Sequence, residues 1–215
     1  MYTPRPFREN DLETLHSLIR EFNFAILFSQ TDETPWATHV PFLIDPDRGP
    51  HGTLISHMAR ANPHWKSWDE TTRVLVVFQG PHAYISPAWY ENQVTVPTWN
   101  YAAVHAYGKP TLIHEPGRIR PLVEALVENH EEEDSTWDRS LMEEVMELNL
   151  KALVGFEIPI ESIEGTFKFN QNLPVEDQAG VERALRHAKD PMSRRVGSII
   201  AANLNGRLRK NDEND

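Results

Sequence analysis

Ten residues, Ser56–Trp65 (SHMARANPHW), place Ser56, His57, Arg60, Asn62 and His64 within reach of one another along the chain. An arginine fork matches the oxygens of a phosphate. Serine and asparagine add neutral donors, and the start of a helix adds backbone N–H groups. At the rim of a sheet such a set could clamp a phosphate. The same residues also suit a short connecting helix in which Arg60 makes a salt bridge, and the sequence leaves both readings open. His57 and His64 are seven positions apart, with no third ligand at a firm spacing, so a metal site is not indicated.

A second group lies in Val74–Gly108. Trp89 and Trp99 fall inside this stretch and Trp68 just before it, interleaved with His82, Ser86, Asn100 and His105. Polar groups among aromatic rings need hydrogen-bond partners or a ligand. A polar-laced core sheet and a pocket for a planar ligand satisfy that need equally well. Other chemistries lack their signatures. The chain has no cysteine, which removes disulfides, cysteine nucleophiles and thiolate metal sites. It has no GxGxxG, no Walker-type loop, no GxSxG, no HExxH and no helix-turn-helix pattern.

The elements that must position these groups are short. Sixteen prolines and ten glycines in 215 residues favour many brief segments, and 40% apolar residues suffice for a core. A helix is expected over Leu12–Phe22, capped by Asn10 or Asp11, followed by strands over Phe24–Ser29, Trp36–Leu43 and Gly52–Ser56. Turns fall at Thr31–Pro35 and Asp45–Pro50. Strands are expected at Val74–Phe78, broken by Gly80-Pro81, then around His82–Ser86 and Val94–Tyr107, with Lys109–Leu112 completing a strand. Helices follow over Arg118–Glu131, stopped by the acidic block Glu131–Asp134, and over Asp138–Glu147, with Leu141, Val145 and Leu148 facing inward. Ala152–Ile158 is a strand and Gly165–Phe169 extends the sheet. Glu157 and Glu161 read as surface groups. A helix over Val175–Lys189 is stopped by Pro191, and Val196–Leu204 forms a last short one. Strand, turn, strand at short spacing argues for an antiparallel barrel or sandwich.

Charge is uneven. The formal net charge is −11, which disfavours nonspecific adhesion to nucleic acid or an anionic membrane. Residues 121–150 hold ten acidic side chains and one basic one, whereas 181–210 hold eight Lys or Arg against Glu182 and Asp190. Solvated helix faces explain both; a basic patch for a polyanion or an acidic subunit is the alternative. No segment approaches the roughly 18 apolar residues of a membrane span. The first residues lack an apolar signal core, so a cytoplasmic location is expected.

Several segments carry a resemblance: ATHVPFLI (Ala37–Ile44), HMARANPHW (His57–Trp65), FQGPHAYISPAWY (Phe78–Tyr90), VPTWNYAAVHAYG (Val96–Gly108), GFEIPIESIEG (Gly155–Gly165) and FKFNQN (Phe167–Asn172). Over Tyr2–Val181 the chain resembles the PaiB family, described as FMN-binding negative transcriptional regulators. The resemblance implies a mainly β fold with added helices, an antiparallel Greek-key FMN-binding split β-barrel shared with the pyridoxamine phosphate oxidase group. It implies a split-barrel domain over 1–175 with helices inserted at 117–148, and a basic helical extension over 176–215. It also implies a homodimer with FMN at the interface.

Carried onto this chain, the resemblance puts Thr38 and His39 on the strand beneath the isoalloxazine. Ser56 and His57 approach the ribityl chain or ring edge, and Arg60 with Asn62 contacts the phosphate. The region Trp99–Tyr107 of the partner subunit completes the pocket, and Lys168 and Gln171 come from a further family motif. That motif runs roughly GKFKLSQN in the family; here Thr166 replaces a Lys and Asn170 a Ser, and a lost phosphate-facing charge would weaken FMN binding. The expected function is regulatory, with DNA a candidate partner only through the basic segment Arg183–Lys210. The alternative is a flavin-dependent reductase or oxidase of a small planar substrate, with His57 and His105 as its acid–base candidates.

Overall fold

The computed structural model describes residues 1–30, 34–132, 135–138 and 140–212; the side chains of Glu144 and of 207–212 are outside the description. The turn expected at Thr31–Pro35 and the helix stop at Glu131–Asp134 fall partly outside it. In chain order the elements are β1 (Arg8–Glu9), α1 (Leu12–Glu21), β2 (Phe24–Gln30), β3 (Pro35–Pro41), β4 (Leu43–Asp45), β5 (Thr53–Ala59), β6 (Val74–Ile85), β7 (Thr98–Gly108) and β8 (Thr111–Ile113). Then come α2 (Pro116–His130), α3 (Ser140–Lys151), β9 (Leu153–Lys168), α4 (Val175–Arg186) and α5 (Pro191–Asp212). Short 3₁₀ turns lie at Arg5–Phe7, His64–Ser67 and Pro87–Trp89. The hydrogen-bonded strand order is β3-β2-β6-β7-β9-β5-β4, with β1 and β8 also pairing with β9. Every pair whose register is resolved is antiparallel. The chain forms two compact units: Met1–Asn10 with Gln79–Val104 and Glu164–Asp215, and Asp11–Phe78 with His105–Ile163.

In the larger unit Asp11 caps α1, its carboxylate accepting from the Thr14 amide at 2.8 Å. The helix then buries Leu15, Leu18 and Ile19 at helical spacing. Alternation decides the sheet faces. On β5, Leu54, Ser56 and Met58 point inward, while Ile55 and His57 point the other way and are partly covered. The interior is filled by Phe42, Phe78, Phe156 and Trp68. Their edge-on contacts have ring centroids 5.7 Å apart for Phe42–Phe78 and 5.3 Å for Trp68–Phe156. A second core lies on the other side of β9, where Ile113 and Ile119 meet Met146 and Leu150. Gly155, paired with His57, faces Ile113, Ile119 and Leu122 there. Glu157 and Glu161 are ion-paired with Arg48 and Arg73.

In the smaller unit β1 pairs with the end of β9, Arg8 opposite Thr166. Helix α4 buries Val181 and Leu185, and α5 buries Val196 and Ile200. Gly197 lets the two helices approach, since a β-carbon there would lie 3.0 Å from the Leu185 β-carbon.

Four expectations need correction. Gly80-Pro81 does not end a strand: β6 runs from Val74 through Ile85, because the fixed φ of proline fits extended backbone. Val94–Pro97 is loop, and β7 begins at Thr98. On α3 it is Met146 and Leu150 that face inward, while Leu141, Val145 and Leu148 are 54%, 49% and 73% exposed. Both sets satisfy a helical period, so periodicity alone could not choose the face. Pro191 starts a helix instead of only ending one, as its missing N–H is harmless in the first turn, and α5 runs 22 residues.

Candidate functional site

In the larger unit the groups converge on the 3₁₀ turn at His64–Ser67. The His64 ring is fully buried, with Nε2 2.7 Å from the Ser29 hydroxyl and Nδ1 2.7 Å from the Thr38 hydroxyl. One ring nitrogen donates and the other accepts, so a neutral imidazole satisfies both hydroxyls. Burial lowers the pKa of His64 and favours that neutral form. Trp36 stacks on the ring at 5.8 Å and Trp68 meets it edge-on at 5.4 Å. Asn62 ties the turn to β3: its carbonyl accepts from the His64 amide at 2.9 Å and its NH₂ donates to the Thr38 hydroxyl at 3.4 Å. Thr38 and Asn62 are therefore brought together, through a histidine that the sequence showed only as one member of a crowded motif. His39, next on β3, is exposed beside Phe24, with ring centroids 6.2 Å apart.

Strand β5 presents Ser56 and His57 on opposite faces. The Ser56 hydroxyl is fully buried and donates to the Pro41 carbonyl at 2.6 Å. His57 faces away from it, with Nδ1 buried and no hydrogen-bond partner among the described residues. Burial lowers its pKa as well. Arg60 makes no salt bridge among the described residues. Its Nε donates to the Lys151 carbonyl at 3.0 Å and its Nη2 to the Leu153 carbonyl at 2.6 Å. It thereby satisfies carbonyls left over where α3 ends. His105, on β7, packs edge-on against Tyr107 at 6.4 Å.

In the smaller unit Trp99 is 55% exposed and forms an aromatic surface with His82 at 6.2 Å and Tyr84 at 6.1 Å. The Lys168 ammonium donates to the Thr98 hydroxyl and lies 5.9 Å from the centre of the Phe7 ring. Partial burial lowers its pKa. Gln171 closes the turn after β9, its side-chain oxygen accepting from the Phe169 amide at 2.7 Å and its NH₂ donating to the Phe167 carbonyl. Thr166 and Asn170 have structural roles. The Thr166 hydroxyl is buried against that of Thr3 at 2.7 Å. Asn170 takes a left-handed backbone with φ 60°, which asparagine tolerates, and its NH₂ donates to the Tyr90 hydroxyl at 3.4 Å.

Each unit thus offers groups suited to a flavin nucleotide. A flavin needs a flat surface, polar contacts to ring and ribityl atoms, and positive charge for its phosphate. The orphaned His57 Nδ1 calls for a hydrogen-bond partner. The exposed Trp99 face suits a planar ring, and Lys168 is a cation with further donor capacity. Among the described residues no group of three His, Asp or Glu could hold a metal ion, and no helix is long and apolar enough to cross a membrane.

The chain is similar to known proteins in sequence and in fold. A family model described as "Putative FMN-binding domain" matches residues 1–162. The "Protease synthase and sporulation protein PAI 2" of Bacillus subtilis (strain 168) is 33% identical over 206 residues, 95% of this chain and 98% of that protein. The flavocytochrome Anf3 of Azotobacter vinelandii superposes with a TM-score of 0.58 at 13% identity, over 78% of this chain and 72% of that one. An FAD and heme binding protein of Mycobacterium smegmatis gives 0.56 at 14% identity, over 75% and 73%. The structural likeness gives the fold: a mixed antiparallel sheet with added helices, the split β-barrel of flavin-binding proteins.

Proposed function

The chain belongs to the PaiB family, whose FMN-binding domain takes in residues 1–162, and from that premise we propose that it is an FMN-binding flavoprotein acting as a reductase or oxidase of a small planar substrate. The match of that domain model over three quarters of the chain supports the flavin part of the reading. Bound FMN would supply electron and hydride transfer. The protein's own groups would do the rest. In the larger unit Thr38, held by His64 and Asn62, and the exposed His39 would present polar contacts. His57 Nδ1 would accept or donate one further hydrogen bond, and Ser56 fixes the strand that carries it. Arg60 would reach a phosphate only with donor capacity left over from the Lys151 and Leu153 carbonyls. In the smaller unit Trp99 would stack, Lys168 would supply charge, and Gln171 would hold the turn behind it. His57 and His105 are the groups that would hold or move a proton.

Two observations favour redox chemistry over a DNA-binding regulator. The net charge is −11. Of the basic C-terminal residues, Arg186 is paired with Glu182 and Arg194 donates to the Ala188 and Lys189 carbonyls. A homodimer belongs to the same reading, and the exposed Tyr84, Val94, Val96 and Trp99 would suit such a contact. A cysteine-free composition suits the reducing cytoplasm.

The test begins with the purified protein. Denaturation should release a flavin with FMN mobility, or the apoprotein should take up added FMN with quenching of its fluorescence. The loaded protein should then be reduced by a nicotinamide cofactor and reoxidised by an acceptor faster than free FMN. No uptake removes the cofactor assignment. Uptake with turnover no faster than free FMN, joined to salt-dependent binding of promoter DNA, would favour the regulator instead.

A further inference from the structure

Helices α2 and α3 leave an apolar cleft of about 370 Å³ that no step of the flavin reading uses. Its floor is the buried pair Met146 and Leu150 with Val123 and Met142 beside them, and its rim carries Trp137, Leu141 and Val145. The apolar surface continues beyond the cleft. Leu141, Val145 and Leu148 stand at i, i+4 and i+7 on α3, all largely exposed. That spacing is the signature of a helix face made to be covered by another helix.

Charge selects the cover. Residues 121–150 carry a formal −9, ten acids against one base. Beside α3, a single guanidinium, Arg120, bridges Glu124, Glu143 and Glu147, so carboxylates outnumber cations even inside that cluster. A second copy docking through the same face would set an acidic helix pair against its like, and an anionic bilayer would be repelled as well. A basic partner is attracted on both counts.

We propose that the exposed face of α3, with the cleft beside it, is a docking site for a basic amphipathic helix of a partner protein. Apolar side chains of that helix insert against Leu141, Val145 and Leu148, and its lysines or arginines lie over the acidic surround. The site is independent of flavin binding.

The test uses the full chain and a fluorescent helical peptide about 18 residues, or five turns, long. Leucines occupy the i, i+3/i+4, i+7 positions and lysines the others. A Lys/Ser peptide of the same charge and a Leu/Glu peptide of the same amphipathicity serve as comparisons. The Leu/Lys peptide should bind with unit stoichiometry, at least roughly tenfold more tightly than either comparison, and more weakly as salt rises. The double variant Leu141→Gln/Val145→Gln keeps helix-forming residues at exposed positions. It should retain the parent's circular dichroism and melting point while losing at least about tenfold in affinity. Equal binding of the Lys/Ser peptide would reduce the effect to charge, and equal binding of the Leu/Glu peptide would remove the acidic surround from the account. Unchanged affinity in the double variant overturns the site. So does a fall in oligomeric state, or a loss of binding to anionic vesicles, caused by that variant, since a second copy or a membrane would then be the occupant.

Discussion

Gly180 sits against the carbonyl of Trp89 so closely that a β-carbon at position 180 would overlap the oxygen. This contact holds α4 on the 3₁₀ turn at Pro87–Trp89, and the neighbouring amide of Glu91 donates to Asp177 of the same helix at 2.9 Å. Two effects oppose each other in Gly180→Ala. Helix propensity favours alanine by about 1 kcal/mol. The overlap is with backbone, which cannot rotate away, and overpacking of that kind costs about 1–3 kcal/mol. The overlap wins, so the variant should be less stable than the parent, read as a lower denaturant midpoint with an unchanged slope. A raised midpoint would show that α4 can shift at no cost.

Arg60 offers a way to separate stability from ligand binding. Two of its donors hold carbonyls at the end of α3 and the start of β9. Arg60→Ala should cost about 1 kcal/mol, chiefly at the part-buried Leu153 carbonyl, since the Lys151 carbonyl is open to water. Flavin titration well below the new melting point then asks a second question. Affinity equal to the parent's would make Arg60 a purely structural clamp. A further loss would show that it also reaches the phosphate.

Lys168 should matter to FMN and little to the fold. Lys168→Met removes the charge and keeps much of the stem, so FMN affinity should fall by about tenfold or more, whereas Lys168→Arg should retain most of it. Riboflavin, which lacks the phosphate, should bind both variants alike. If riboflavin loses as much as FMN, the charge does not act on the phosphate.

Acid should destabilise the protein in a defined window. Burial lowers the folded pKa of His57 and of His64 below the ordinary value of about 6.5. Above that value both states are neutral and nothing is gained or lost. As pH falls through it, the unfolded chain takes up protons that the folded chain refuses, and stability drops until the folded pKa is passed. Urea midpoints measured from neutral pH downward should therefore decline, and His57→Gln should make the decline shallower. Asp69 acts in a different range. Hydrogen bonds from Thr71 and Thr72 hold its carboxyl at about 2, so its contribution persists through the histidine window and is lost only as pH falls from 3.8 toward that value.

Asn170 occupies a left-handed backbone position. At φ 60° most side chains are strained. Asn170→Gly keeps the backbone and should cost roughly 1 kcal/mol through the lost contact to the Tyr90 hydroxyl, while Asn170→Ala should add roughly 1 kcal/mol of strain and Asn170→Val more. A thermal melt in which valine is tolerated as well as glycine would contradict the strain argument.

Much of this was legible in the residues. Alternation and turn chemistry located β2, β3 and β5, and the pair Asn10-Asp11 announced the start of α1, with Asp11 the cap. What failed had a common cause: a local signal with two structural solutions. The Gly80-Pro81 pair can end a strand or run through one. The apolar residues of α3 trace two possible faces, and only packing against Ile113 and Ile119 selects Met146 and Leu150. The site was legible as a composition and not as a geometry. Nothing in SHMARANPHW says that Arg60 will meet backbone carbonyls, that Ser56 and His57 will part to opposite faces, or that His64 will organise Thr38 and Asn62. The contacts of Arg60 depend on α3 and β9, nearly a hundred residues away in the chain, and those of His64 on β2 and β3.

The pairing of Arg8 with Thr166 sets a timetable for biosynthesis. Strand β1 leaves the ribosome well before its partner near the end of β9. At roughly 5–20 residues per second it waits on the order of ten seconds for that partner to emerge. Until then β1 has no ladder to join, and Phe7, half-buried in the folded chain, is open to a chaperone. Domain closure in the cell is thus gated by the last strand of the sheet, and a rare-codon pause before β9 would prolong that exposed interval more than one after it.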